Sequence, residues 1–309
     1  MHIAVIDIGT LTFHLLIVRI NKDNTFDVVY KEKDTVKLGK KGINNREISY
    51  SAFELGINTL LYYNEIIRNY NCKRVNAFAT SAMRNADNRT DFINKVYDYT
   101  GIRIQAISGD YEAELIYKGC KNAYKMESPA LIVDIGGGSI EFILGDNKNM
   151  LWKKSFEIGI IRLYEKIKPS EPITQEDIFK LNKCFEPCFN EVYNEIIDYN
   201  VDTLIGCSGT FIILASILQK NYPNSQRRNK SYYKINKSNL YHLHNYLINT
   251  TLNERYSIKG IDASRAEYIV IASIFIIFMV EKLKLKKIIQ SDYALKEGII
   301  FEELASILF

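Results

Sequence analysis

Two aspartates in this chain each end an apolar run and lead into a glycine turn. The first turn reads Asp7-Ile8-Gly9-Thr10, and the second reads Asp134-Ile135-Gly136-Gly137-Gly138-Ser139. Such a turn presents backbone N–H groups and a hydroxyl to a phosphate, while the carboxylate faces a metal ion or a water molecule. Strand-like runs at 12–20 and 140–144 follow the two turns. The repetition predicts a duplicated domain whose halves face each other across a phosphate-binding cleft.

A third glycine turn, Gly206-Cys207-Ser208-Gly209-Thr210, follows another apolar run and opens a predicted helix. The N–H groups at a helix N-terminus suit an anion or the edge of a nucleotide. Each turn taken alone is as compatible with a structural strand-to-helix corner as with a binding site. Three turns at matching places in a duplicated fold favour a binding role.

Four acidic residues are candidates for the chemistry, namely Asp7, Glu112, Asp134 and Glu141. Asp134 and Glu141 flank the second glycine turn, so the turn can bring both carboxylates toward one cation. Mg²⁺ prefers oxygen ligands and is typically held by one or two carboxylates together with substrate phosphates. We therefore expect Mg²⁺ as the cofactor, with Asp134 and Glu141 as its protein ligands. Most acidic residues are surface charges, but Asp7 and Asp134 end apolar strands beside glycine turns.

The order of elements in the first half of the chain recurs in the second half. Predicted strands lie near 2–7, 12–20, 26–34, 74–79 and 102–107, then near 129–134, 139–145, 150–157 and 201–206, with a short one at 286–290. Predicted helices lie near 49–69, 88–99, 110–122, 159–167, 174–197 and after Gly209, with two further helical segments and a C-terminal helix. The polar, basic stretch 219–237 is expected to be a loop.

This layout predicts an α/β, duplicated ribonuclease-H-like (actin-like) fold of two domains with a cleft between them. The expected domains are 1–126 and 127–309, and the C-terminal helix is expected to pack back on the first domain. With 309 residues, the chain exceeds the size at which one hydrophobic core usually stops growing. The amino-acid composition, 47% apolar and 25% charged, is that of a globular protein.

Charge and cysteine content bear on partners and compartment. The net charge of +4 suits a polyanionic ligand but does not indicate a specific nucleic-acid partner. Five scattered cysteines indicate a reducing compartment, and the N-terminus shows no leader pattern. The longest apolar stretch, 268–280, is shorter than the roughly 20 residues that span a membrane. We therefore expect a cytoplasmic protein without a membrane partner, and leave open whether it forms a homodimer.

Taken together, the motifs resemble those of the exopolyphosphatase/guanosine pentaphosphate phosphohydrolase family, in its short two-domain form. The matching segments lie at 7–17, 79–84, 107–113, 134–141, 206–210 and 291–298. The resemblance covers nearly the whole chain and places it in the acetate kinase, sugar kinase, Hsp70 and actin superfamily.

The resemblance implies a Mg²⁺-dependent phosphohydrolase that releases terminal orthophosphate from polyphosphate or guanosine pentaphosphate, with guanosine tetraphosphate as a further ligand. It implies that Glu112 activates the attacking water, assisted by Asp134 and Glu141, and that Arg84 contacts the phosphate chain. The expected phosphate-binding residues are Asp7, Gly9, Thr10, Thr12, Arg84, Gly136, Gly137, Gly138, Ser139, Ser208, Gly209 and Thr210. Phosphoryl transfer depends mainly on positioning and charge neutralisation, which suits these residue types.

Three positions depart from the family pattern. Leu11 stands where the first turn usually carries Asn, Lys296 where a late motif commonly carries Arg, and Tyr111 in a usually acidic pair beside Glu112. Lysine keeps the charge of arginine but loses its bidentate fork. Because of Leu11, a non-catalytic alarmone or polyphosphate sensor is one alternative function. Because of the superfamily, a kinase-like ATP phosphotransferase is another. His14 invites a catalytic role, but its place in a strand favours a structural one.

Overall fold

The computed structural model describes residues 1–23, 25–223 and 231–307. Its strands are β1 (His2–Ile8), β2 (Thr12–Ile20), β3 (Phe26–Thr35), β4 (Arg74–Ala79), β5 (Ile104–Ala106), β6 (Ala130–Ile135), β7 (Ile140–Gly145), β8 (Met150–Phe156), β9 (Thr203–Cys207), β10 (Tyr232–Ile235) and β11 (Lys287–Ser291). Its α-helices are α1 (Tyr50–Asn69), α2 (Ser81–Asn85), α3 (Arg89–Thr100), α4 (Gly109–Ala123), α5 (Ile160–Ile167), α6 (Gln175–Ile196), α7 (Ser208–Asn221), α8 (Lys237–Ile248), α9 (Leu252–Tyr256), α10 (Ile269–Lys282) and α11 (Leu295–Ile307).

The chain divides into two compact units. Unit 1 comprises Met1–Lys118 and Leu295–Phe309, and unit 2 comprises Gly119–Ala294. The predicted domain boundary between residues 126 and 127 stays a prediction.

Unit 1 is built on a mixed sheet with the strand order β3-β2-β1-β4-β5. Strands β1, β2 and β3 form an antiparallel meander, and β4 and β5 continue the sheet parallel to β1. Residues 3–6 of β1 are fully buried on both faces, which is the pattern of a central strand covered by helices. Helix α11 packs on β1, and α1 packs on α3.

Unit 2 repeats that plan with the strand order β10-β11-β9-β6-β7-β8. Strands β6, β7 and β8 form the meander, and β9 and β11 run parallel to β6. The strands of unit 2 therefore correspond to those of unit 1, with β10 added at one edge. The predicted α/β duplication of an actin-like fold is confirmed.

The C-terminal part of unit 2 differs from the expected loop and helices. Helix α7 continues to Asn221, and β10 pairs antiparallel with β11 inside the stretch expected to be a loop. Tyr233 and Ile235 alternate as buried residues of β10, a pattern too short to stand out among polar neighbours. Residues 224–230 of that stretch lie outside the described residues. Three helices, α8, α9 and α10, occupy the place of the two expected ones.

Helix α10 forms from the longest apolar run of the sequence. All residues from Ile269 to Val280 are buried, and the helix packs on α6 and α8, so it is a core helix as expected. Across the described ranges, none of the helices combines the length and the apolar character that crossing a membrane requires.

Candidate active site

The two aspartate–glycine turns have the same backbone geometry. In unit 1 the Gly9 N–H donates to the Thr12 carbonyl at 3.1 Å, and in unit 2 the Gly136 N–H donates to the Ser139 carbonyl at 3.0 Å. A Cβ atom would lie 2.8 Å from that carbonyl at Gly9 and 2.9 Å from it at Gly136. Both turns therefore require glycine because the backbone approaches itself closely.

In the second turn, all three glycine carbonyls accept hydrogen bonds from the start of α5. These bonds join Ile160 N to Gly136 O at 3.1 Å, Ile161 N to Gly137 O at 2.9 Å, and Gly159 N to Gly138 O at 3.1 Å. In a trans peptide, the C=O group and the following N–H group point in opposite directions. The N–H groups of Gly137, Gly138 and Ser139 are therefore directed away from α5, as in a backbone concavity that binds anions.

The first turn is held in the same way by a different segment. The Thr10 carbonyl accepts from Gly39 N–H at 3.0 Å, and the Leu11 carbonyl accepts from Lys37 N–H at 2.8 Å. The N–H groups of Leu11 and Thr12 therefore point away from that segment. The Leu11 side chain is buried in unit 1.

Asp134 and Glu141 lie side by side in the sheet of unit 2. They are directly paired in the antiparallel register of β6 and β7, a position in which Cβ atoms are about 4.5–5.5 Å apart. Both side chains are buried, at 7% and 1% exposure. Two neighbouring buried carboxylates require hydrogen-bond donors or a cation to offset their charge.

Hydroxyl groups supply part of that compensation. Ser208 Oγ donates to Asp134 Oδ2 at 2.5 Å, and Glu141 Oε1 accepts from Ser139 Oγ at 2.6 Å and from Ser155 Oγ at 2.7 Å. The donor set of this pair consists of hard oxygen atoms, which are the ligands that Mg²⁺ prefers. The two carboxylates therefore fit the expected cation. Over the described residues, no group of three or more His, Cys, Asp or Glu side chains could hold a metal ion.

The third turn joins β9 to α7 beside Asp134. Ser208 adopts a left-handed conformation with φ of 60°, which places its hydroxyl on Asp134. A Cβ atom at Gly209 would lie 2.2 Å from a guanidinium nitrogen of Arg265, so glycine leaves room for that buried arginine. Burial lowers the pKa of Arg265, while nearby Asp262 and Asp134 act in the opposite direction.

Thr210 lies at this turn, but its hydroxyl is used within the protein. It donates to the Ile135 carbonyl at 3.2 Å and accepts from Arg265 Nη1 at 3.4 Å. The hydroxyl thereby ties the start of α7 to the end of β6. Its expected phosphate-binding role stays a prediction.

In unit 1, Arg84 and Glu112 form a buried ion pair. Arg84 lies on α2 and Glu112 in the first turn of α4, and Nη1 donates to Oε2 at 3.0 Å. The same Nη1 also donates to the Ile107 carbonyl at 3.1 Å. The carboxylate is 9% exposed and the guanidinium side chain 16%. The fold therefore holds the expected base against the expected phosphate-binding arginine.

The sheets explain why these groups gather within each unit. In unit 1, Thr80 N–H donates to the Ile8 carbonyl at 3.2 Å and Ile107 N–H to the Ala79 carbonyl at 3.0 Å, so the segments after β1, β4 and β5 lie at one edge. In unit 2, the parallel register pairs Asp134 with Cys207 at the matching edge. Ligand sites of open α/β sheets lie at such carboxyl edges.

The expected site residues divide between the two units. Those of unit 1 are Asp7, Gly9, Thr10, Thr12, Arg84 and Glu112, and those of unit 2 are Asp134, Gly136, Gly137, Gly138, Ser139, Glu141, Ser208, Gly209 and Thr210. Sequence reasoning missed Ser155 and Arg265. Ser155 is the register partner of Glu141 across β7 and β8, so counting along that hairpin could have found it. Arg265 is far from the turn in sequence and gave no local signal.

Comparison with known proteins places these features in context. The model of the Ppx/GppA phosphatase family matches residues 16–307. A bifunctional 3-dehydroquinate synthase/phosphatase from Fusobacterium nucleatum subsp. nucleatum is 33% identical, and the match covers 97% of this chain and 44% of that protein. The chain thus spans less than half the length of that relative. A putative exopolyphosphatase from Haemophilus influenzae is 27% identical, with 97% of this chain and 90% of that protein covered.

A solved structure agrees over nearly the full chain. The exopolyphosphatase from Cytophaga hutchinsonii has a TM-score of 0.95 and 35% sequence identity to this protein. The match covers 99% of this chain and 98% of that one.

Proposed function

The chain belongs to the Ppx/GppA phosphatase family, and from this we propose that it releases terminal orthophosphate from inorganic polyphosphate or guanosine pentaphosphate by attack of water. The observation that carries the proposal is the buried Arg84–Glu112 pair at the same sheet edge as the first glycine turn. A carboxylate held by an arginine is positioned both to accept a proton from water and to lie near a phosphate that the arginine binds.

In the proposed reaction, a water oxygen forms the new bond to the terminal phosphorus, and the bridging P–O bond breaks. Glu112 accepts a proton of the water, and Arg84 binds the phosphate oxygens through its guanidinium group. Within each unit, the N–H groups of its glycine turn are proposed to hold phosphate oxygens. The products are orthophosphate and a ligand shorter by one phosphate.

Mg²⁺ is proposed as the cofactor, held by Asp134 and Glu141, and when bound it neutralises phosphate charge. Ser208, Ser139 and Ser155 then keep the two carboxylates in place through their hydroxyl groups. This follows the general rule that partners of metal ligands fix the orientation of those ligands.

One experiment tests the proposal against its alternatives. Released orthophosphate is measured with Mg²⁺ against polyphosphates of several lengths, guanosine pentaphosphate and ATP side by side. We expect release from polyphosphate or guanosine pentaphosphate and little from ATP. Tight binding without release would instead indicate a sensor, and transfer from ATP to an acceptor without hydrolysis would indicate a kinase.

A further inference from the structure

His14 occupies in unit 1 the position that Glu141 occupies in unit 2. Asp7 is paired with His14 in the register of β1 and β2, just as Asp134 is paired with Glu141 in β6 and β7. The two turns that precede them have the same glycine-to-carbonyl bond. The duplication therefore places an imidazole where its repeat has a carboxylate.

The hydroxyl two residues before each of these side chains lies within hydrogen-bond distance of that side chain. Ser139 Oγ donates to Glu141 Oε1 at 2.6 Å, and Thr12 Oγ1 lies 3.0 Å from His14 Nε2. Both hydroxyls are buried, with Thr12 at 5% and Ser139 at 3% exposure. Each turn thus carries a buried hydroxyl within hydrogen-bond distance of a side chain on the following strand.

The two partners differ in what they can donate. A carboxylate only accepts, so Ser139 gives its proton to Glu141, and its oxygen lone pairs are left to accept a hydrogen bond or bind a cation. An imidazole nitrogen that carries a proton donates instead, and the hydroxyl that accepts from it can direct its own proton to another acceptor. A hydroxyl that donates suits a phosphate oxygen, whereas one that offers lone pairs suits a cation.

We propose that His14 is a positioning residue that turns the Thr12 hydroxyl into a phosphate donor, while Glu141 turns the Ser139 hydroxyl toward the cation. In this arrangement His14 Nε2–H donates to Thr12 Oγ1, and the Thr12 O–H donates to a phosphate oxygen. The inference deepens the proposed function and rests on it, since it assigns the ligand phosphate to the first turn. It also moves Ser139 from the expected phosphate-binding set to the cation side.

The test is a double-mutant cycle on binding of inorganic tripolyphosphate, measured by calorimetry in the Glu112→Gln background. The variants are His14→Gln, which keeps an N–H donor, His14→Leu, which removes it without adding charge, Thr12→Val, and His14→Leu combined with Thr12→Val. We expect His14→Leu and Thr12→Val each to weaken binding about tenfold, which is the size of one hydrogen bond to a charged group. His14→Gln should restore most of the affinity.

The combined variant should bind no more weakly than Thr12→Val alone, because the histidine acts through that hydroxyl. His242→Leu, at an exposed histidine of α8, is the matched control and should bind as the background does. Three outcomes would overturn the inference. They are equal affinity of His14→Leu and His14→Gln, additive losses in the combined variant, and no tripolyphosphate binding by the Glu112→Gln background. Orthophosphate release by the unmodified chain separately tests the proposed function, so the two failures are distinguishable.

Discussion

Gly159 packs against the backbone of the second glycine turn, and its replacement by alanine tests the proposed role of that turn. A Cβ atom at this position would lie 2.4 Å from the backbone carbon and oxygen of Gly137 and from the backbone carbon of Gly138. Unstrained carbon contacts lie at about 3.5–4.0 Å, so the turn must shift by about 1 Å. Because the clash is with backbone, no side-chain rotation relieves it.

A shift of that size has two measurable effects. Misplacing a catalytic geometry by about 1 Å costs on the order of a hundredfold in rate, so kcat/KM for orthophosphate release should fall by about that factor. Overpacking also lowers the free energy of unfolding by about 1–3 kcal/mol, which urea denaturation measures. Most of the protein stays folded after a loss of that size, so the measured fall in kcat/KM is that of folded enzyme.

Gly101→Ala is the control for glycine replacement as such. Its backbone is left-handed, with φ of 73°, but nothing lies within 4 Å of the added Cβ atom. This variant should lose about 1 kcal/mol of stability from backbone strain and keep its rate of release. Wild-type kcat/KM in Gly159→Ala would refute the role given to the second turn.

Three further predictions concern separate parts of the molecule. Asp134→Asn should raise the Mg²⁺ concentration for half-maximal release by at least about tenfold, as a metal titration of activity would show. Tyr111→Phe removes the hydroxyl that donates to Glu302 at 2.7 Å and should lower stability by about 0.5–1.5 kcal/mol at pH 8. Burial, followed by the bond to Glu302, raises the pKa of Tyr111 from 10.0 to about 12. The stabilisation is therefore complete below pH 10 and is lost as the pH rises through 12, so urea titrations should show the stability advantage over Tyr111→Phe shrinking as the pH rises above 10. Both carboxylate oxygens of Glu171 accept from Arg255 Nη2 at 2.6 Å, and the Arg255 side chain is 2% exposed. Glu171→Gln removes the charge that offsets this buried guanidinium and should lower the free energy of unfolding by about 3–5 kcal/mol.

The two aspartate–glycine turns were the most predictable part of the site, because each combines a strand-ending aspartate with a close backbone approach that needs glycine. The duplication was equally predictable from the sequence, because both meanders and the parallel strands that follow them contain strong apolar runs. Strand β10 was missed because its buried residues alternate over only four positions inside a polar stretch. Helix α2 was missed because five residues give no helical periodicity.

The pairing of side chains was less accessible to sequence reasoning. Sequence reasoning identified Arg84 and Glu112 as separate candidates, but only the structure of unit 1 shows that they form one ion pair. The buried Arg265 under Gly209 comes from a distant segment, so local patterns could not connect the two. Tyr111, noted as a missing acid beside Glu112, instead bonds to Glu302 and ties α11 to α4.

The most direct test of the proposed chemistry compares Glu112→Gln with the matched control Glu65→Gln, an exposed glutamate on α1. Orthophosphate release and ligand binding are measured on both variants with the substrate that the unmodified chain hydrolyses. If Glu112 is the base, orthophosphate release by Glu112→Gln should fall on the order of a hundredfold or more while ligand binding is largely kept. Glu65→Gln should behave as wild type. Wild-type release in Glu112→Gln would contradict the assignment.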